Sequence, residues 1–455
     1  MNVHPILSIS AVLLMLSTAH AEERQLTFSP KNHDLDNADN FSTDCKFLCY
    51  DTRGTVGPGI ENCQSIEKVE IETGVETVLY KPTSSIRGEK AAPGVGAPFF
   101  SPVENKVAFI HGPPVREIPD RGYYAKPNRN GAAVIADGSG KMIWLDKRDT
   151  ATTRDTIPGA HRGGTHRHEY SLDGRRIGFT YDDLLLPQYD RSIGYMEKHP
   201  KAPKGATHYF CILVPVVPKG TAKPGQIERA WGDSWVGARG LMRAFIGKVR
   251  AANGVCYEQS LFVIDIPADV DITTADSGSA TRFPRPPEDV RVRRLTHGYA
   301  EGIVRGTVEG DRIAYYGLDE TGTKQLFIIA CHGSDQHPDP AKRPIQATHF
   351  ENGAGPGLRW HPSGNSIACI SNNGVAVTCV KPGPHFGKTT FLTPQEDEPA
   401  LLNLVWSPDG RLLAFNKRTP TVDENGKRLH TYDGQNFLQI FLVDFPDPDD
   451  DGIIN

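Results

Sequence analysis

Past its first 21 residues, the 455-residue chain has no apolar run long enough to cross a bilayer, so no transmembrane helix is expected after that segment. No stretch sustains a helical period, which argues against a bundle or a helical repeat. There is no basic run and the formal net charge is −5, so nucleic acid is not an expected partner. A Gly-rich phosphate loop, a Cys-x-x-Cys zinc pair and a nucleophile elbow are all missing. Nucleotide, zinc-ribbon and α/β-hydrolase chemistry therefore have no signature here.

One short pattern recurs instead. An aromatic or small residue, Ser or His, and a tight turn lead into an alternating apolar strand. Trp406-Ser407-Pro408-Asp409-Gly410-Arg411-Leu412-Leu413-Ala414-Phe415 is the clearest copy, and Trp360–Cys369 and Tyr170–Phe179 are two more. Phe100-Ser101-Pro102 leading to Val107–Phe109, Phe41–Asp44 leading to Phe47–Tyr50, and Glu309-Gly310-Asp311 leading to Ile313–Tyr315 bring the copies to six. The Pro-Asp-Gly type segments supply the preset and positive φ angles that a tight turn needs. The serine slots fall at 42, 101, 171, 306, 361 and 407. The gap from 171 to 306 is about double the others, so a copy is hidden there, with Gly237–Gly240 and Ala244–Gly247 as its remnant.

The expected fold is all-β, a β-propeller of seven four-stranded blades, with six as the alternative if the remnant is only an insertion. Leu-Thr pairs recur at Leu26-Thr27, Leu295-Thr296 and Leu392-Thr393. The first precedes all the copies, so it is expected to supply the outer strand of the last blade and close the ring.

Residues 1–21 read as a secretory signal, with an apolar core from Ile6 to Leu16 and a small-x-small site at Ala19-His20-Ala21. Residues 22–446 form one propeller domain, and 447–455 an acidic tail. The protein is expected to be exported, to the periplasm or beyond. Asp447-Pro448-Asp449-Asp450-Asp451-Gly452 matches the first half of a calcium loop but reads as a solvated tail. Stretches 84–98, 186–205 and 267–290 read as loop insertions. Eight cysteines suit an oxidising compartment, and Cys369 and Cys379 flank a hairpin turn across which they could face each other.

Polar residues just before each copy and just after its strand should converge at the channel end opposite the serine turns. Those slots hold Asn32, His33, Asp51 and Arg53 around the first copy, and His111 after the second. His161, Arg162, Gly163, Gly164, His166 and His168 precede the third, and Tyr181, Asp182 and Asp183 follow it. His297 and Arg305 precede the fifth. His166 and His168 are two apart on a strand, so they are expected to share a face and could bind a divalent metal. Packing between blades is the competing reading for both.

These residues carry a resemblance. The Ser-Pro-Asp-Gly copies with Leu-Thr spacers resemble TolB propeller repeats. Gln25–Arg53, Val107–Pro113, Arg162–Asp183 and Trp360–Gly364 resemble an unassigned bacterial family of TolB-like propellers. A related group is oligogalacturonate lyase, which cleaves uronate oligosaccharides by β-elimination with manganese held by three histidines and a glutamine. That resemblance implies a divalent metal (manganese, with zinc or calcium as alternatives) at His166, His168 and a third histidine, for which His111 is taken and His161 and His208 are the other candidates. Gly163 stands where the lyases have glutamine. It also implies Arg162 or Arg53 on the substrate carboxylate and Tyr181 as a base, with Asn32, His33, Asp51, Asp182 and Arg305 binding substrate. The expected partner is a small acidic oligosaccharide or a protein at the funnel. A non-catalytic binding or scaffold propeller, as TolB is, and a glycoside hydrolase are the alternatives.

Overall fold

A computed structural model describes residues 22–36, 39–54, 59–396 and 398–445. The signal-like segment and the acidic tail lie outside the described residues. The chain forms seven antiparallel sheets around a channel, with one small extra hairpin. From the channel outward, the second blade is Val95–Phe100, Lys106–His111, Asn130–Ile135 and Met142–Trp144. The third is Gly164–Tyr170, Arg176–Asp182, Ser192–Lys198 and His208–Ile212. The fourth is Ile227–Val236, Met242–Arg250, Tyr257–Asp265 and Arg291–Arg294. The fifth starts with Glu301–Gly306 and the sixth with Arg359–Trp360. The first blade has three regular strands, and its inner position is filled by single bridges from Asp34 to Asp51 and from Phe41 to Leu48.

The seventh blade combines Leu402–Trp406, Leu412–Thr419 and Phe437–Asp444 with Glu23–Gln25 as its outermost strand. The expected ring closure is therefore present. The Leu-Thr pairs explain it chemically. The Thr27 hydroxyl accepts from Ile440 N at 2.9 Å. Thr296 accepts from Leu261 N and Thr393 from Val375 N, both at 3.0 Å. One side-chain cap thus joins the outermost to the third strand in blades four, six and seven, and the N-terminal segment performs it for the last blade.

The repeated turn is a hydrogen-bond device. Ser407 Oγ donates to Asp409 and accepts from Leu412 N, while Gly410 sits at φ 75°. Ser171, Asp173 and Arg176 repeat the arrangement. In the fifth blade Thr307 plays the serine, one residue after the expected slot, because its hydroxyl bonds Asp311 and accepts from Arg312 N. The hidden copy is real: Ala244–Gly247 lies in the second strand of the fourth blade.

A second repeated feature left no mark in the pattern. The innermost strands of five blades carry a bulge with one left-handed residue: Ala97, Arg167, Gly232, Gly302 and Asn403. The bulge shifts the alternation of side chains, so residues on either side of it no longer follow the two-residue rule.

Three expectations are corrected. Cys369 pairs across its hairpin with Ala376, and Cys379 with Ser366, so the two thiols do not oppose each other. All eight cysteines are free. Two expected insertions contain strands, since 84–98 runs into Val95–Phe100 and 186–205 contains Ser192–Lys198. Both are Gly- or charge-rich segments that pair because neighbouring strands present partners.

Candidate functional site

At the serine-turn end, the channel opens into a cavity of about 560 Å³. Its wall carries one ring from each of six blades: Phe41, Phe100, Tyr170, Trp235, Trp360 and Trp406. The fifth blade contributes Gly306, which has no room for a side chain because a Cβ there would meet Val236 Cα at 2.5 Å. The rings come from the aromatic slot of the repeat, so the motif that builds the turns also builds the collar. Rigid apolar walls around a few convergent polar groups are the usual build of a small-molecule site.

The floor holds Asp39, Glu169, Arg305 and Arg359. Glu169, Arg305 and Arg359 each stand two residues before the turn residue of their blade, which puts them on one rung of the channel. Glu169 accepts from Ser234 Oγ at 2.7 Å, from Trp235 N at 3.2 Å and from Arg243 at 3.0 Å. Arg243, fully buried, also donates from Nε to Asp233 at 2.7 Å and lies 4.6 Å from the Trp235 ring. Arg305 reaches Glu169 only at 3.6 Å, and its Nε and Nη2 make no hydrogen bond. Arg359 Nε is likewise unbonded.

Burial pulls both guanidiniums below their ordinary range, Arg305 to about 10 against the opposing pull of Glu169; Arg167 adds to the lowering at both, and Arg305 adds to it at Arg359. Burial also raises the Asp39 carboxyl to about 6, reinforced by Glu169 and opposed by Arg305 and Arg359.

At the other end of the channel the nominated residues are brought together in part. Arg53 pairs with Asp51 and bonds Asp36 at 2.7 Å, and Asp51 also accepts from Ala97 N at 2.7 Å. His166 lies 3.5 Å from Asp182, which also takes Arg191 at 3.2 Å. Nδ1 of His166, Nε of Arg129 and the Tyr124 hydroxyl are buried there without hydrogen bonds. Burial, with Arg191 and Arg129, holds His166 well below the usual imidazole range.

The remaining nominees are bound into the scaffold. Asn32 accepts from Leu438 N, and His33 joins Leu438 O to Glu76. Arg162 spends its donors on Thr156, Ala151 O and Arg154 O. Tyr181 donates to Asp183 at 2.7 Å, and burial raises its phenol well above the ordinary value. His111 sits between Tyr80 and Gly112 O. Gly163 does allow a close approach, but to the chain itself, because a Cβ would stand 2.0 Å from Asp182 O.

The metal set needs correcting. Arg167, at φ 54°, separates His166 from His168 in the bulge, so the two rings do not share a face. His168 turns to Thr165 at 3.1 Å and stacks on Phe99, away from Asp182. Among the described residues no three His, Cys, Asp or Glu side chains are grouped to hold a metal. The residues present do not fit the lyase metal site.

Sequence reasoning named Arg305 but missed Asp39, Arg167, Glu169, Arg243 and Arg359. The signal for Glu169 and Arg359 was their shared offset from the turn residue.

The fold and its collared channel define a seven-bladed β-propeller. Among solved structures the chain is similar to a putative TolB from Agrobacterium tumefaciens, at 13% identity and TM-score 0.38, covering 84% of this chain and 99% of that one. It is also similar to a prolyl endopeptidase, at 12% identity and TM-score 0.48, covering 91% of this chain. The match spans about half of that endopeptidase chain (50%). DUF3748, a protein family of unknown function, matches residues 94–202, which span blade two and the three inner strands of blade three. Over 425 residues the chain is 32% identical to the uncharacterized protein YidR of Escherichia coli K12, covering 86% of this chain and 94% of YidR. The chain belongs to the YidR family.

Proposed function

We propose that the protein is an exported, non-catalytic binding propeller that takes a small ligand into the collared cavity at the serine-turn end. The observation that carries this is the meeting, in one volume of about 560 Å³, of six aromatic rings with a floor of buried charge. That volume suits a small molecule rather than a folded partner. The proposed catalysts Arg162, Tyr181 and Arg53 are held by other side chains and backbone, which favours binding over turnover. Three tryptophans line the wall, so a bound ligand reports itself in intrinsic fluorescence. A metabolite screen read by tryptophan emission should give a saturable change that Trp360→Ala removes. No response from any ligand class, with a protein captured instead on the rim, would replace this reading with a scaffold. Export predicts a mature chain starting near Glu22, read by N-terminal sequencing of the periplasmic fraction.

A second reading, a lyase for acidic oligosaccharides, is favoured by one observation. His166 is held neutral, with an unbonded Nδ1, beside Arg129 and Arg191. A neutral imidazole can take a proton while arginines steady a carboxylate. His166→Ala should then abolish release of unsaturated uronates, and unchanged release would end that reading.

A further inference from the structure

We infer that the cavity floor is a carboxylate site, in which Arg305 and Arg359 together hold the carboxylate of a small organic acid whose body lies against the aromatic collar. The inference rests on the binding reading above and adds the chemistry of the ligand.

Three observations carry it. First, Arg305 and Arg359 are on the same rung of adjacent blades and both line the cavity. Second, Arg305 is only 6% exposed, yet its Nε and Nη2 are unbonded, as is Arg359 Nε. Buried donors without partners are rare in folded proteins and costly, so a group that accepts from them is expected. Third, the carboxyls of the floor are unevenly used. Glu169 is already engaged by Ser234, Trp235 and Arg243, which leaves Asp39 as the unengaged floor carboxyl opposite Arg305 and Arg359.

Two guanidiniums thus share one unengaged carboxyl. A monoanion supplies the second partner, whereas a phosphate dianion would meet the carboxylates of Asp39 and Glu169. A planar carboxylate also matches the fork of a guanidinium, which donates two parallel N–H groups. Asp39 tunes the site. Glu169, Arg305 and Arg359 are the charged groups that face it, and its carboxyl titrates at about 6. Above that pH its own negative charge competes for the arginines. Below it Asp39 is neutral, so the site draws an anion more strongly.

The test uses benzoate, its neutral isostere benzamide, and inorganic phosphate at constant ionic strength. Binding is read by tryptophan emission and thermal shift on the mature chain. Benzoate should bind at least about tenfold tighter than benzamide, and Arg305→Gln or Arg359→Gln should each cost about tenfold or more. Arg116→Gln, on a side chain 77% exposed, should change nothing. Should the arginine variants fail to fold, Asp39→Asn gives an independent arm. It should keep benzoate binding strong above pH ~6, where wild type weakens.

Equal binding of benzoate and benzamide would overturn the carboxylate site while leaving the binding reading intact. Phosphate competing as well as benzoate would make it a general anion site and overturn it too. No saturable response to any of the three at millimolar concentration would overturn the carboxylate site, and the metabolite screen would then decide the binding reading separately.

Discussion

The guanidinium of Arg243 lies across Gly178 so closely that a Cβ on the glycine would stand 2.1 Å from Arg243 Cζ. Glycine in the second strand of the third blade is what lets an arginine of the fourth blade reach both Asp233 and Glu169.

Gly178→Ala should therefore displace Arg243 and strand two carboxylates, at a loss of about 3 kcal/mol. Urea unfolding measures it. Loss of the cavity's fluorescence response should accompany it, because Glu169 supports the floor. An alanine variant as stable as wild type would mean that Arg243 has another seat.

Three buried histidines make stability depend on pH. Burial pushes His111, His168 and His208 each down to about 4. The unfolded chain protonates them near 6.5, so it binds more protons than the folded one between about pH 6.5 and about pH 4, and stability falls as pH falls through that window. Burial also lowers His166, a fourth group of the same sign, and raises Asp34, Asp36 and Asp39, which act with the opposite sign and reduce the slope. Melting temperature should decline across that range, and His111→Gln should make the decline shallower.

The thiols give a third test. Cys256 is exposed, Cys45 and Cys379 are half-buried, and the other five are buried. A thiol reagent should label Cys256 first in the native protein and reach eight sites in denaturant. Reductant should leave the melting temperature unchanged. Fewer than eight sites in denaturant without reductant would reveal a disulfide.

Thr27→Val removes the hydroxyl that accepts from Ile440 N and donates to Gln439 at 2.7 Å. A loss of about 1–3 kcal/mol is expected, as for other buried hydrogen bonds. Protease cleavage should appear first in the seventh blade, and cleavage elsewhere would mean the seam is not the weak point.

The fold was legible because the turn is written in local chemistry. Ser407, Asp409 and Gly410 each have a reason that can be read from spacing alone, and Leu26-Thr27 marked the closing strand by matching Leu295-Thr296. The site was less legible. Arg167 in the left-handed region looks no different in sequence from any strand residue, yet it splits His166 from His168. Arg243 and Glu169 come from different blades and meet only through a glycine, so no spacing could join them. Arg305 was found because it precedes a copy, and Arg359 was passed over although it precedes one at the same offset.

Sealing the ring with residues 23–25 has a temporal consequence. Thr27 is bonded to Gln439, 412 positions later. A ribosome or an export pore delivers the first of these long before the second, so the first strand must wait unpaired while six blades form. It is only three residues long, and its sequence Glu-Arg-Gln is a poor template for stray pairing. The protein becomes a closed object only in its last step. Any truncation within the seventh blade would leave an open ring, however well the other blades had folded.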